Sequence, residues 1–101
     1  MTAARISPQA RRDILDAARW IAADNPEAAR AFRKSIEVAA RRLGEHPNIG
    51  TVKAELADPP VRFLVVSGFP YLIVYDSELV PPLVLRVLHG ARDLPDVLRD
   101  M

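Results

Sequence analysis

Trp20-Ile21-Ala22-Ala23-Asp24-Asn25-Pro26-Glu27 holds the end of one helix and the start of another. Asn25 is an N-cap residue, because its side-chain oxygen can accept a backbone N–H of the following turn. Pro26 then loses nothing at the first helical position. Glu27 stands in the first turn, where the helix dipole favours an acid. With only Asp24-Asn25 between them, the two helices are expected to fold back as an antiparallel hairpin. Upstream, Ser7-Pro8 repeats the start signal, and Ala10, Ile14, Ala17, Ala18 and Ile21 recur at helical spacing opposite Arg11, Arg12, Asp16 and Arg19. Downstream, Phe32, Ile36, Ala39 and Leu43 form the second apolar stripe. Gly44 is expected just beyond its end, and Pro47 prevents continuation. The small residues Ala17, Ala18, Ala28, Ala29, Ala39 and Ala40 allow the two axes to approach closely.

Beyond the hairpin the period changes. His46 to Pro60 carries three prolines and a glycine and reads as a connecting loop. Val61 to Val66, Tyr71 to Tyr75 and Leu83 to His89 are rich in β-branched and aromatic residues and read as strands. Ser67-Gly68 and Glu78 to Pro82 supply the turns, so these strands form an antiparallel meander. Ala3 to Ile6 adds a short N-terminal strand. Asp93 and Pro95 start a short C-terminal helix whose Val97 and Leu98 face inward. The expected order is β-α-α-β-β-β-α. This is an α+β fold with a helical hairpin packed on one face of a three- to four-stranded antiparallel sheet.

At 101 residues and mean hydropathy +0.02, the chain is a single domain that buries a core of modest size. The absence of cysteine excludes disulfides, thiolate catalysis and Cys-based zinc sites. The sequence shows neither the apolar stretch of a signal peptide nor one long enough to span a bilayer, so a cytoplasmic location is expected. The net charge is +1, with nine of the 14 basic residues at or before Arg42. That distribution reads as a solvated helical face. A protein that lives by gripping phosphates carries a larger surplus, so direct sequence-specific DNA binding is not expected.

Several pieces then coincide, in order and spacing, with one superfamily. They are Ile6-Ser7-Pro8-Gln9-Ala10, Trp20 to Pro26, His46-Pro47-Asn48-Ile49-Gly50, Tyr71-Leu72-Ile73-Val74-Tyr75, and Arg86-Val87-Leu88-His89-Gly90-Ala91-Arg92-Asp93 followed by Leu94-Pro95. Over nearly its whole length the chain resembles the ParE/RelE toxins of type II toxin–antitoxin systems, with the ParE-like branch favoured. One departure is Phe69-Pro70, where the family commonly carries a basic or polar residue before the Tyr-rich strand. The resemblance implies a RelE/ParE-like fold, a ParD-like antitoxin partner, and a heterotetramer of two toxins and two antitoxins. It also implies one of two activities. ParE-like toxins act on DNA gyrase and block replication by binding; RelE-like toxins are ribosome-dependent ribonucleases that cut messenger RNA.

Cutting RNA requires a base, phosphate-binding cations and an acid. Arg62, Tyr75, Arg86, His89 and Arg92 are the candidates, with Arg62 and Arg86 in strands that could share one concave face. His89 can serve as acid or base because its pKa can lie near neutrality. Each also has a structural reading: Arg86 paired with Asp93, His89-Gly90 turning the chain, Tyr75 packed under the helices. His46, after a helix end and before proline, reads as a loop residue. With two histidines and no cysteine, no metal site and no cofactor are expected. Trp20 either joins the core from the flank of the first helix or stays exposed to dock the antitoxin, a choice shared by Leu94 and Leu98. The near-neutral charge favours a gyrase inhibitor without catalysis over a ribonuclease. A toxin-fold protein that has lost toxicity and persists as a binding module is a third reading.

Overall fold

The computed structural model describes residues 2–93. Strand β1 spans Arg5–Ile6, helix α1 Pro8–Asp24, helix α2 Pro26–Glu45, and strands β2, β3 and β4 span Val61–Val65, Tyr71–Asp76 and Leu83–His89. Both helix starts are built as the sequence requires. Ser7 Oγ accepts the Ala10 N–H at 3.0 Å, and Asn25 Oδ1 accepts the Ala28 N–H at 3.1 Å. Asn25 alone separates the helices, and its own N–H donates to the Ile21 carbonyl. One residue thus closes α1 and opens α2, which forces the chain back on itself.

Gly44 lies within α2, one residue before its end, and His46 takes the C-cap, donating its N–H to the Arg42 carbonyl. The glycine therefore answers a packing need and not a turn. A Cβ at position 44 would clash with the Thr2 carbonyl oxygen, because residues 2–4 run against this end of α2. The Ala4 N–H donates to the Ala40 carbonyl at 2.8 Å on the same path.

The sheet has the order β1-β4-β3-β2. The β2-β3-β4 meander is antiparallel as expected, but β1 pairs with β4 in parallel, so the sheet is mixed. The physical reason is the connection: the whole hairpin and two strands intervene between β1 and β4, which is ample to bring the chain back in the same direction. The expected C-terminal helix falls on residues 94–101, outside the described residues.

Tyr71, Ile73, Tyr75, Val84 and Val87 face the helices and pack with Phe32, Ile36, Ala39 and Leu43. Val84 and Val87 are three residues apart, yet strand alternation places only even spacings on one face. A β-bulge resolves the conflict: Tyr75 pairs with Val84 and Val74 with Arg86, leaving Leu85 as the extra residue. On the far face Phe63, Val74 and Leu88 form a smaller cluster covered by Leu56 and Ala57. Thus the 46–60 loop shields apolar surface that the helices do not reach. Gly68, with φ +83°, makes the β2–β3 turn in a conformation that glycine adopts without strain. Pro70 stands immediately before β3, where its missing N–H costs no ladder bond.

Replacing Gly44 with alanine should push residues 2–4 off α2 and cost about 1–3 kcal/mol. Urea denaturation of Gly44→Ala should show this as a lower midpoint at an unchanged slope. An unchanged midpoint would mean that the N-terminal segment yields freely.

Candidate functional site

Past Val84, β1 has ended, and among the described residues no strand lies beside the outer edge of β4. Helix α1 takes over that edge with side chains. Ser7 Oγ donates to the Leu85 carbonyl at 2.9 Å, and Asp13 Oδ2 accepts the Val87 N–H at 3.0 Å. The same carboxylate receives Arg86 as a fork, Nε to Oδ2 at 2.7 Å and an Nη to Oδ1 at 3.0 Å. The pair is largely buried, with side-chain exposures of 22% for Arg86 and 11% for Asp13. The hydrogen bond to Asp13 holds the Arg86 guanidinium above its ordinary pKa, so it stays charged. The expected Arg86–Asp93 pair is therefore replaced by Arg86–Asp13.

Asp93 finishes the same edge. Its Oδ2 accepts the His89 N–H at 3.1 Å, and its own N–H donates to the His89 carbonyl at 3.0 Å. His89 Nδ1 accepts the Arg92 N–H at 3.1 Å, which commits one ring nitrogen to the turn. The ring also meets Tyr71 edge-on at 5.3 Å. The turn reading of His89 is the one the geometry supports. His46, exposed at the end of α2, is the loop residue expected.

Between α1 and this end of β4 runs a groove of about 350 Å³, lined among others by Asp16, Trp20, Tyr71, Arg86 and Arg92. Trp20 is 67% exposed, which overturns its core reading. Arg92 lies over its ring, 5.4 Å from the centroid, and is held on its other side by Asp93 at 3.3 Å. The Tyr71 hydroxyl is buried on the groove wall and has no hydrogen-bond partner among the described residues. Leu94 and Leu98 lie outside the described residues.

Arg62 and Tyr75 belong to a different place. The Tyr75 hydroxyl donates to the Pro47 carbonyl at 2.7 Å and accepts the Gly50 N–H at 2.9 Å, while an Arg62 Nη donates to the Gly50 carbonyl at 2.9 Å. Together they pin the 47–50 loop onto the sheet. Gly50 is obligatory there, since a Cβ would stand 2.6 Å from the Tyr75 hydroxyl oxygen. Burial raises the Tyr75 pKa, opposed by the Gly50 N–H and by Arg62. The five candidates thus separate into two groups: Arg62 with Tyr75 at the loop, and Arg86, His89 and Arg92 along the β4 edge. The single concave face expected for Arg62 and Arg86 is not formed. No cluster of three or more His, Asp or Glu side chains suited to a metal ion occurs among the described residues.

Residues 4–94 match the family described as the ParE toxin of the type II toxin–antitoxin system, parDE. The chain belongs to the ParE toxin family. No curated protein matches it. The match spans all four strands and both helices, so the ParE-like resemblance and the fold agree over the same residues. Membership in the ParE family implies a ParD antitoxin as partner. No helix among the described residues is long and apolar enough to cross a membrane.

Sequence reasoning missed Asp13, which most of this edge depends on. Its signal was present: position 13 falls on the apolar stripe between Ala10 and Ala17, where a charge requires a buried partner.

Asp13→Ala should orphan both Arg86 and the Val87 N–H and lower stability by about 2–4 kcal/mol. Asp13→Asn, which can still accept from Val87, should lose about half as much. Equal losses in denaturant melts would place the whole effect in the ion pair. A second prediction concerns pH. The folded-state pKa of Tyr75 lies above its unfolded value near 10, so its contribution is complete below pH 10 and is lost as pH rises further. Stability measured from pH 8 to 11.5 should fall beyond pH 10, and less steeply in Tyr75→Phe.

Proposed function

We propose that this ParE-family chain acts in the cytoplasm by binding DNA gyrase and blocking replication. A ParD-like antitoxin neutralises it within a heterotetramer of two toxins and two antitoxins. The observation that carries this reading is the employment of the candidate catalytic groups. Arg86 is forked onto Asp13, Tyr75 and Arg62 pin a loop, and His89 gives one nitrogen to a turn. Cleaving RNA needs cations free to meet a phosphate and an acid or base free to move a proton. Such groups are engaged here with backbone or, for Arg86, with the Asp13 carboxylate, which supports action through a surface over a reaction centre.

Exposed Trp20 supports the partner half of the reading. A large aromatic left outside the core, with Arg92 over it, is the residue type that anchors protein interfaces. Leu94 and Leu98 are proposed to extend the same contact.

Controlled expression, with and without the reading frame beside the gene, tests the proposal. DNA synthesis should stop first, with induction of the SOS response, and co-expression of the neighbour should restore growth. Early loss of translation with cleaved messages would sink the gyrase reading, and no growth effect would sink toxicity. His89→Ala should keep most of the toxicity, whereas a folded but inactive His89→Ala chain would favour the ribonuclease. Trp20→Ala should weaken antitoxin binding by about 2 kcal/mol in a titration without lowering Tm.

A further inference from the structure

The connection from β3 to β4 is apolar where a solvent-facing turn is ordinarily polar. Val80 is 96% exposed and Leu79 46% exposed, and Pro81 and Pro82 follow them. The stem of this tip is held from three sides. The Ser77 N–H and Oγ both donate to the Pro60 carbonyl, at 3.2 and 3.0 Å, and Asp76 Oδ1 accepts the Glu78 N–H at 3.0 Å. The Pro82 carbonyl accepts the Arg5 N–H at 2.8 Å, and each proline fixes its own φ. Leu79 and Val80 are therefore presented to a partner with little ordering left to do on binding.

Between the tip and the end of α2 opens a notch of about 460 Å³, whose lining includes Gly44, Pro47, Leu79 and Pro82. Two exposed acids flank it. Glu78 stands between the lining residues Ser77 and Leu79, and Glu45 follows Gly44. Neither forms an ion pair among the described residues. The wall at Gly44 is also the C-terminal end of a helix, which carries partial negative charge. Apolar surface with an acidic border fits a Lys or Arg side chain. Its methylene stem lies on the apolar part and its charge meets the carboxylates. An enzyme that grips DNA carries such side chains over the surfaces that meet phosphates.

We infer that the Leu79–Pro82 tip and its notch are the surface through which this chain engages its target, seated on a cationic stretch of gyrase. Leu79 and Val80 make the apolar contact, and Glu45 and Glu78 pair with Lys or Arg. This inference rests on the gyrase reading and names the surface that would serve it. The tip stands at the start of β4 and the Trp20 groove at its end, about 20 Å away by the rise of a strand. Charge decides against two other occupants. DNA itself would set phosphates against carboxylates, and a second copy about a two-fold axis would bring like acids together.

Supercoiling by the purified gyrase holoenzyme, titrated with the full chain and its variants, tests the inference, with Tm and antitoxin binding measured on each. Leu79→Ser with Val80→Ser should stay within about 3 °C of the parent Tm and bind the antitoxin unchanged. It should need about tenfold more protein for half-inhibition. Glu78→Lys should need about fivefold more. Asp24→Lys makes the same change of charge at the other end of α2 and should inhibit as the parent does. Should the double variant fail to fold, Val80→Ser alone should still need about threefold more. Folded tip variants that inhibit as well as the parent would overturn the inference and leave the gyrase reading standing. A parent chain that does not inhibit gyrase would overturn both. Equal weakening by Glu78→Lys and Asp24→Lys would reduce the effect to overall charge, and loss of antitoxin binding in step with inhibition would assign the tip to the antitoxin. Either result would overturn the inference as well.

Discussion

One carboxylate governs how this chain ends its sheet. Asp13 projects from α1 onto the strand it packs against, accepts the Val87 N–H where a neighbouring strand would have done so, and receives the Arg86 fork. An isolated charge at that depth would be costly, and a bare edge N–H would invite another strand. Each of the three groups removes the liability of another. The bulge at Leu85 makes this possible. It restores Val87 to the helix-facing side after Val84, and the residue beside it, Arg86, reaches α1. Ser7 completes the arrangement from the first turn of the same helix, accepting from Ala10 and donating to Leu85.

The consequence for function is subtraction. Cations and aromatic hydroxyls in a ParE/RelE fold look like the parts of a nuclease, and by residue type this chain has them. By geometry, most are already spent. Tyr75 is buried and bonded twice, Arg62 is bonded to the loop that Tyr75 holds, and Arg86 is kept charged but occupied. Among the described residues, what is open to a partner includes an exposed indole beneath a guanidinium and a groove between α2 and β2 with two cations at its rim. Neither arrangement is suited to moving protons, and both are suited to recognition.

Most of the architecture could be read from the sequence because it is written in local signals. Ser7-Pro8 and Asn25-Pro26 set both helix starts, and the change from helical to alternating apolar spacing located all three strands of the meander. What escaped the reading depends on long-range geometry. The direction of β1 depends on where a long connection returns. The bulge appears only when Val84 and Val87 are known to face the same way. Gly44 carries the signature of a helix end but answers the approach of Thr2. For the site, residue types were legible and partners were not. Arg86 was singled out, but its acid stands 73 positions earlier, where no local pattern connects them. Trp20, between an apolar stripe and a run of charges, could not be placed by period alone.

What folding leaves uncovered also bears on why such a small chain would depend on a partner. A chain of 101 residues buries a limited core, and among the described residues part of its far sheet face is covered by the loop that carries Leu56 and Ala57. Closing the β4 edge uses the side chains of Ser7, Asp13 and Asp93 and therefore comes with folding itself. The tip at Val80 is left to solvent instead. Exposed apolar surface of this kind favours association. Ligand binding to the native state adds stability in proportion to the logarithm of ligand concentration over Kd. A partner seated on the tip would thus stabilise the fold and cover exposed apolar surface at once. The +1 net charge exerts little pull at long range, so selection among partners would fall to local charges such as Glu45 and Glu78 beside the notch.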